Sequence, residues 1–545
     1  MSRASICLAV ALSSLSLRGA AQAPARDLTA ASQTGTAVIK GRVVLAGTEQ
    51  PLARADVRAS SPTLKTARTV KTDADGRYEI KGLPAGSYVV SVVKPNFVTA
   101  AFGQKRPAGP GMPFDLADGQ TASNINFALA RAGVITGRVL DDAGEPLPDV
   151  QVTTSRYQYA NGERRIVPGP GRAVSNDLGE FRIFGLPPGD YFVSGTLRDI
   201  AIADTNDREG FGTTYYPGTG NVAEAQRISI APGQVVSGIT LPLQVVHMVR
   251  LTGVAVDSSG EPIANSTIMA MPRDGTFAGF MRPALTRADG RFALSGVTPG
   301  DYILRVGASG VNGEAASVPL SVRDSDITDI QLTAVRPTSI LGRLAFDGGK
   351  PPAPSSVRVF IVPPSPEFVV AGTPPAFGKP DGSFELKAMP GPALMRTSVA
   401  SAEGWTLKRV SVDGVDVTDT GFDVPPERPL AGVVVELTNR VAQLSGTVLN
   451  ADGKAERDCW VLLFAQDLRL WTVQSRFVVA VRPGQDNHFH ASALAGDYFA
   501  VAVDDVESGE WTEPGFFSRI QNRAVRMSLS EGEKKSLDLK LVSSR

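Results

Sequence analysis

Apolar and polar residues alternate along most of this chain, in runs long enough for strands and too short for amphipathic helices. In Arg77-Tyr78-Glu79-Ile80-Lys81 the period of two predicts a half-buried strand. Asp75-Gly76, just before it, is a hairpin-turn dipeptide, because a tight turn there needs the positive φ that glycine reaches without steric cost. Pro84-Ala85-Gly86 predicts a second turn, after which Tyr88, Val90 and Val92 alternate again. Continuous helical periodicity is nearly absent.

The same unit returns. Asp177-Leu178-Gly179-Glu180-Phe181 is followed by Pro188-Gly189-Asp190-Tyr191, and Asp289-Gly290-Arg291-Phe292 by Pro299-Gly300-Asp301-Tyr302. A worn copy is Asp381-Gly382-Ser383-Phe384 with Pro390-Gly391, and the most eroded is Phe489 with Gly496-Asp497-Tyr498. Each copy is preceded by an alternating strand with glycine at one fixed place, Gly41, Gly137, Gly253, Gly342 or Gly446. Each ends in a strand introduced by a glycine turn, such as Asp118-Gly119-Gln120 running into Ile125-Asn126-Phe127-Ala128-Leu129. Internal repeats of this kind decide the architecture before any motif does. Roughly seven short strands per copy, with turn signals every 8–12 residues, predict a β-sandwich.

The expected organisation is therefore all-β, a tandem array of about five seven-stranded Greek-key (prealbumin- or Ig-like) sandwiches. They are placed at 37–130, 131–246, 247–335, 336–440 and 441–545, the last divergent. The opening glycines are unevenly spaced, so length differences are expected in loops. Two long ones fall in the second domain, 156–172 and 199–221. The fourth carries a Pro-rich stretch, 363–380, and an insert at 405–417.

A chain of 545 residues is too long for one core. Its 55 basic and 55 acidic side chains leave no polyelectrolyte footprint, which argues against nucleic acid as a partner. Residues 1–23 read as a cleaved secretory signal: Arg3, an apolar run from Ile6 to Leu17, and Ala21-Gln22-Ala23 before Pro24. That run is too short to span a bilayer, and 24–36 reads as a mobile leader. The expected location is secreted, periplasmic or cell-surface. After cleavage Cys459 is the one cysteine left, set in the apolar run up to Phe464, and is expected to be a buried small hydrophobe.

The combination of G-R-V, D-x-x-G-x-P-L, D-G-x-[FY] and L-P-x-G-x-Y resembles the carboxypeptidase regulatory-like and Cna-B-type modules of the transthyretin-like prealbumin sandwich. The resemblance covers most of 37–545, most strongly in the first three units. It implies seven-stranded Greek-key sandwiches common in exported bacterial proteins and grouped with a carbohydrate-binding-like fold. It also implies an accessory role, since the zinc enzyme of metallocarboxypeptidases is a separate domain.

Candidate chemistry is sparse. The three histidines are His247, His488 and His490, and the last two share a strand face without a third ligand nearby. No metal, cofactor or catalytic residue is expected. Asp73-Ala74-Asp75-Gly76 looks like the start of a calcium loop, but its first position becomes Asn176, Arg287 and Lys379 in the copies, so a turn explains them better. Lys40 and Asn126 sit where Cna-B modules can carry an isopeptide bond. Glu79, however, should face water, and the positions matching Lys40 are Thr136, Thr252, Leu341 and Ser445.

Aromatics are the remaining signal. Tyr88, Tyr191, Tyr302 and Tyr498 are expected in cores, akin to tyrosine corners. Tyr157, Tyr159, Tyr215, Tyr216, Trp471 and Trp511 are the candidates for ligand binding, because sugars stack their apolar faces on exposed rings. Three readings follow, the last a hydrolase, which would carry zinc on purification. The first is an exported, non-enzymatic scaffold of interaction modules, an elongated monomer whose partner is a cell-surface protein. The second is a carbohydrate-binding protein whose partner is a glycan.

Overall fold

The computed structural model describes residues 35–104, 109, 111–160, 162–197, 209–273, 283–306, 313–363, 374–399, 404–472, 474–484, 486–504, 506–507, 509–513 and 515–543. The signal-like segment and residues 24–34 of the leader lie outside them. The regular structure among the described residues is almost all strand. Its buried hydrophobics fall into successive clusters within 37–129, 135–243, 249–334, 340–437 and 442–539.

The third segment shows the plan in its simplest form. A three-stranded sheet places Val249–Val256 between Arg291–Val297, antiparallel, and Ile327–Thr333, parallel. A four-stranded sheet runs in the order Ala284–Leu285, Thr267–Pro272, Gly300–Val306, Ala316–Val322. Phe292, Leu294 and Leu251 from the first face Ile268, Tyr302 and Leu304 from the second, and this interior is the core. Alternation alone dictates it, since residues two apart share a face.

The invariant placement of glycine in the opening strands has a packing cause. Gly41, Gly137, Gly253 and Gly446 do not have positive φ. Instead, a Cβ built on them would lie 1.9, 2.0, 2.0 and 1.9 Å from the backbone oxygens of Ile125, Ile239, Ile330 and Leu537. Each of these oxygens belongs to the closing strand or to the chain just entering it. Opposite each glycine sits the aromatic of the turn unit: Tyr78, Phe181, Phe292 and Phe489. In the first segment the Tyr78 hydroxyl donates to that same Ile125 oxygen at 2.6 Å. Glycine lets the crossing strand approach, and the ring covers the space beside it.

Turn chemistry repeats as faithfully. Gly76, Gly179, Gly290 and Gly382 have φ between +68° and +80°, as the hairpin dipeptide requires. In the eroded fifth copy Asn487 takes that place at φ +64°, the left-handed conformation asparagine tolerates best among non-glycine residues. Asp73 Oδ1 accepts from the Asp75 and Arg77 amides at 2.9 and 2.8 Å, and Asn176 Oδ1 accepts likewise from Leu178 and Glu180. A carboxylate and an amide oxygen do one job, capping the turn. The four core tyrosines each donate to the carbonyl four residues earlier: Tyr88 to Pro84, Tyr191 to Pro187, Tyr302 to Thr298 and Tyr498 to Leu494, at 2.7–2.9 Å. The fourth segment has Ala393 at that place.

Three expectations are corrected. Residues 156–172 are not a loop: Val150–Ala160 and Glu163–Val174 form a long hairpin, with a register shift between Thr153 and Ser155 accommodating Pro168. The insert at 405–417 is a strand pair, Thr406–Val412 and Val415–Asp416, that extends the fourth segment's sheet to five strands. The described residues are also not a simple linear array. The end of the long hairpin meets the 3₁₀ turn Glu510–Thr512 of the fifth segment, and a Cβ on Gly509 would lie 3.0 Å from Tyr159 O. Residues 199–208 and 364–373, parts of the other two stretches expected to be loops, lie outside the described residues.

At the junction of the third and fourth segments Glu314 is only 6% exposed and accepts from Ser258 N at 2.9 Å, Ser258 Oγ at 3.0 Å and Arg336 Nε at 2.6 Å. Burial works to raise its pKa, but these donors outweigh it and hold the carboxyl below the usual range. A depressed folded pKa adds stability above the unfolded value of about 4.3 that is lost as pH falls through the folded one. Glu314→Gln should therefore weaken hydrogen-exchange protection of 249–334 at pH 7, and the gap to wild type should narrow as the pH falls from 7 to 3. A gap that stays constant between pH 7 and pH 3 would contradict it.

Candidate functional site

The six candidate aromatics separate into different environments. Tyr157, on the long hairpin, packs edge-on against Phe192 at 5.3 Å, with the Arg164 guanidinium 4.3 Å above its ring. Tyr215, on Thr214–Tyr215, is 8% exposed and joins Ile166 and Phe192 in the same cluster. Tyr216 turns to the other side and packs on the main core of its segment. Tyr159 reaches the fifth segment, where burial and then the carboxylates Glu510, Glu513 and Glu507 push its hydroxyl pKa up.

Trp471 and Trp511 come together. They line one open cleft of about 130 Å³ with Thr472, Ser475, Val478, Thr512, Glu513, Gly515 and Phe517. Trp471 follows the 3₁₀ turn Leu468–Leu470, which Asp467 caps by accepting from Arg469 N. Its indole Nε1 donates to Ala465 O at 2.7 Å, and its ring meets Phe464 and Phe517 edge-on at 5.6 and 5.5 Å. Trp511 leans on Trp460 with centroids 4.6 Å apart. Glu513 pairs with Arg519 at 3.3 Å.

This cleft rests on a second hydrophobic layer that sequence reasoning missed. The short helix Phe516–Ile520 lays Phe516, Phe517 and Ile520 on the outer face of Trp460–Ala465 and Gly496–Val503. Both faces of those strands are covered. The signal was present in Cys459-Trp460-Val461-Leu462-Leu463-Phe464, an apolar run without alternation, which a strand buried on two sides requires. Cys459 is buried in the inner layer, with Sγ 3.8 Å from Glu456 O.

A charged contact joins the fourth and fifth segments. Arg476 holds Asp419 with two bonds of 3.1 and 2.6 Å and donates to Leu407 O and Lys408 O. Arg396 donates to Met395 O and Thr418 O within its own segment and to Gln474 O across the junction. Burial lowers the Arg396 pKa. Lys408 adds contacts to Asp347 at 2.6 Å and Glu531 at 3.2 Å. No spacing rule could reveal this, because Asp419 and Arg476 are 57 residues apart.

The other groups considered for chemistry lie apart from this cleft and this junction. His488 and His490 are exposed on one face of His488–Ala493, close to Asp486, whose carboxyl is held low first by the His488 backbone amide. His247 ends the strand Val245–His247. Among the described residues no group of three or more His, Cys, Asp or Glu is arranged to hold a metal ion. Lys40 pairs with Glu79 at 2.8 Å, and Asn126 Oδ1 accepts from Arg42 N at 2.8 Å. Hydrogen bonds from Lys40 and Lys81 hold the exposed Glu79 carboxyl low, so its charge is retained rather than buried as an isopeptide-forming acid would need.

The family model of the carboxypeptidase regulatory-like domain matches residues 38–130 and 250–333. Colossin-A of Dictyostelium discoideum is 25% identical over 275 residues, which span 48% of this chain and 2% of that protein. Among solved structures, the Bacillus anthracis TIE protein aligns at 15% identity over 55% of this chain and 51% of its own, with TM-score 0.16. A streptococcal ancillary pilin aligns at 13% identity over 55% and 98%, with TM-score 0.20. The Streptococcus agalactiae minor pilin GBS52 aligns at 13% over 39% and 97%, with TM-score 0.23. Scores this low carry no functional weight. No helix among the described residues is long and apolar enough to cross a membrane.

Proposed function

We propose that the chain is an exported, non-enzymatic scaffold whose segments 37–130, 131–246, 247–335, 336–440 and 441–545 act as interaction modules. The observation that carries this is the succession of buried clusters, each drawn from one segment, with polar side chains spent on turns and junctions. Exposed Leu285, Phe377 and Val415 on two-residue strands at the ends of sheets offer partner surfaces. An exported chain would begin at Pro24 after cleavage. The test is retention of a cell-surface protein by the full-length mature chain, followed by loss of retention when Leu285, Phe377 and Val415 are changed to lysine. No retained protein, or retention unaffected by those changes, would refute it.

A second reading, carbohydrate binding, is supported by one arrangement. Trp471 and Trp511 line a common cleft beside the hydroxyls of Thr472, Ser475 and Thr512, and ring faces with nearby hydroxyls suit a sugar. Saturable glycan binding lost in Trp511→Leu would support it.

A further inference from the structure

We propose that the Trp471–Trp511 cleft binds a methylated ammonium group such as the headgroup of choline. The idea shares the ligand cleft of the second reading and replaces the sugar with a cation. Indole faces attract cations more strongly than other aromatic faces do, and a methylated ammonium has little or no N–H to satisfy, so it is content among rings. Trp471 and Trp511 supply those rings, and Phe517, stacked on Phe464, completes the aromatic lining. They are already held in place, Trp471 by its bond to Ala465 O and Trp511 by Trp460, so little side-chain freedom is lost on binding.

The charge has the right sign. Glu513 lines the cleft, and Glu507 and Glu510 stand in the same stretch of chain, near enough that all three act on the Tyr159 hydroxyl. Arg519 answers Glu513 at 3.3 Å but does not line the cleft. Size points the same way. A volume of about 130 Å³ falls well short of the roughly 300 Å³ at which pockets for drug-sized ligands begin. A compact headgroup fits it better than an oligosaccharide.

The test titrates the full chain, by tryptophan fluorescence and calorimetry at constant ionic strength, with choline, phosphocholine, 3,3-dimethyl-1-butanol and methyl glucoside. Choline should saturate, and the butanol, which keeps choline's shape without its charge, should bind at least tenfold more weakly. Glu513→Gln should weaken choline several-fold, and Trp511→Leu should abolish binding while exchange protection of 460–503 is kept. If Trp511→Leu loses that protection, Glu513→Gln decides. Phosphocholine tighter than choline would assign the source to a phosphocholine headgroup; the reverse order would assign it to a free base, and either supports the site. Equal affinity for choline and the butanol would overturn the cation. Saturation by methyl glucoside alone would overturn it too and uphold the sugar. Binding of none of the four would end both ligand readings and leave the scaffold reading untouched.

Discussion

Gly253→Ala should strip hydrogen-exchange protection from 249–334 while leaving the other segments as they were. The new methyl would meet Ile330 O at 2.0 Å, with the Ile330 carbonyl carbon and Cβ at 2.8 and 2.9 Å. No rotamer change relieves contact with backbone, so the closing strand Ile327–Thr333 must move away from its parallel partner. Overpacking that backbone motion has to absorb costs about 3 kcal/mol, roughly a hundredfold in the open population. Because a multidomain chain has no single unfolding free energy, the effect must be read segment by segment. Gly260→Ala is the control: no atom lies within 4 Å of its Cβ, and its φ of +85° makes the penalty one of conformation alone, about 1 kcal/mol. Equal losses at the two sites would show that crowding by the closing strand is not why glycine recurs.

Asp419→Ala should uncouple the fourth and fifth segments. Asp419 neutralises Arg476 through two hydrogen bonds and lies 3.9 Å from Arg396, and the arginine side chains are only 13% and 10% exposed. Removing one partner of a largely buried pair leaves uncompensated charge, at about 3–5 kcal/mol. Here the Arg396 Nε already has no hydrogen-bond partner, so little remains to absorb a second loss. The expected result is greater proteolytic access and exchange at 404–420 and 474–482, with the buried strands 442–449 and 496–503 still protected. Loss of protection throughout 441–543 would mean that the fifth segment depends on its neighbour. No change would mean that Asp419 is dispensable to the junction.

What the sequence disclosed and what it withheld divide along a physical line. Local rules were legible. Asp75-Gly76 and its copies specify turns by φ, Tyr78 and Ile80 specify a face by alternation, and the tyrosines are fixed by a carbonyl four residues away. Each of these depends on a few adjacent residues. The reason for Gly253 was not legible, since the atom that excludes a side chain belongs to Ile330. The long hairpin escaped because Pro168 and two glycines at 169 and 171 imitate a loop, while a register shift against Thr153–Ser155 absorbs them. The six aromatics could be named but not grouped: only coordinates show Tyr157 and Tyr215 sharing one cluster and Trp471 and Trp511 one cleft. Residues 459–464 carried the one unused clue, an apolar run whose lack of alternation asks for a covering layer on each side.

Successive segments bury separate cores. Hydrogen exchange followed by mass spectrometry on the full chain, across a urea series, reads their independence segment by segment. Protection within 37–129, 135–243, 249–334, 340–437 and 442–539 should be lost in separate steps, with the last two drawn together by Asp419. Loss of all five at one concentration, unchanged in Asp419→Ala, would contradict it.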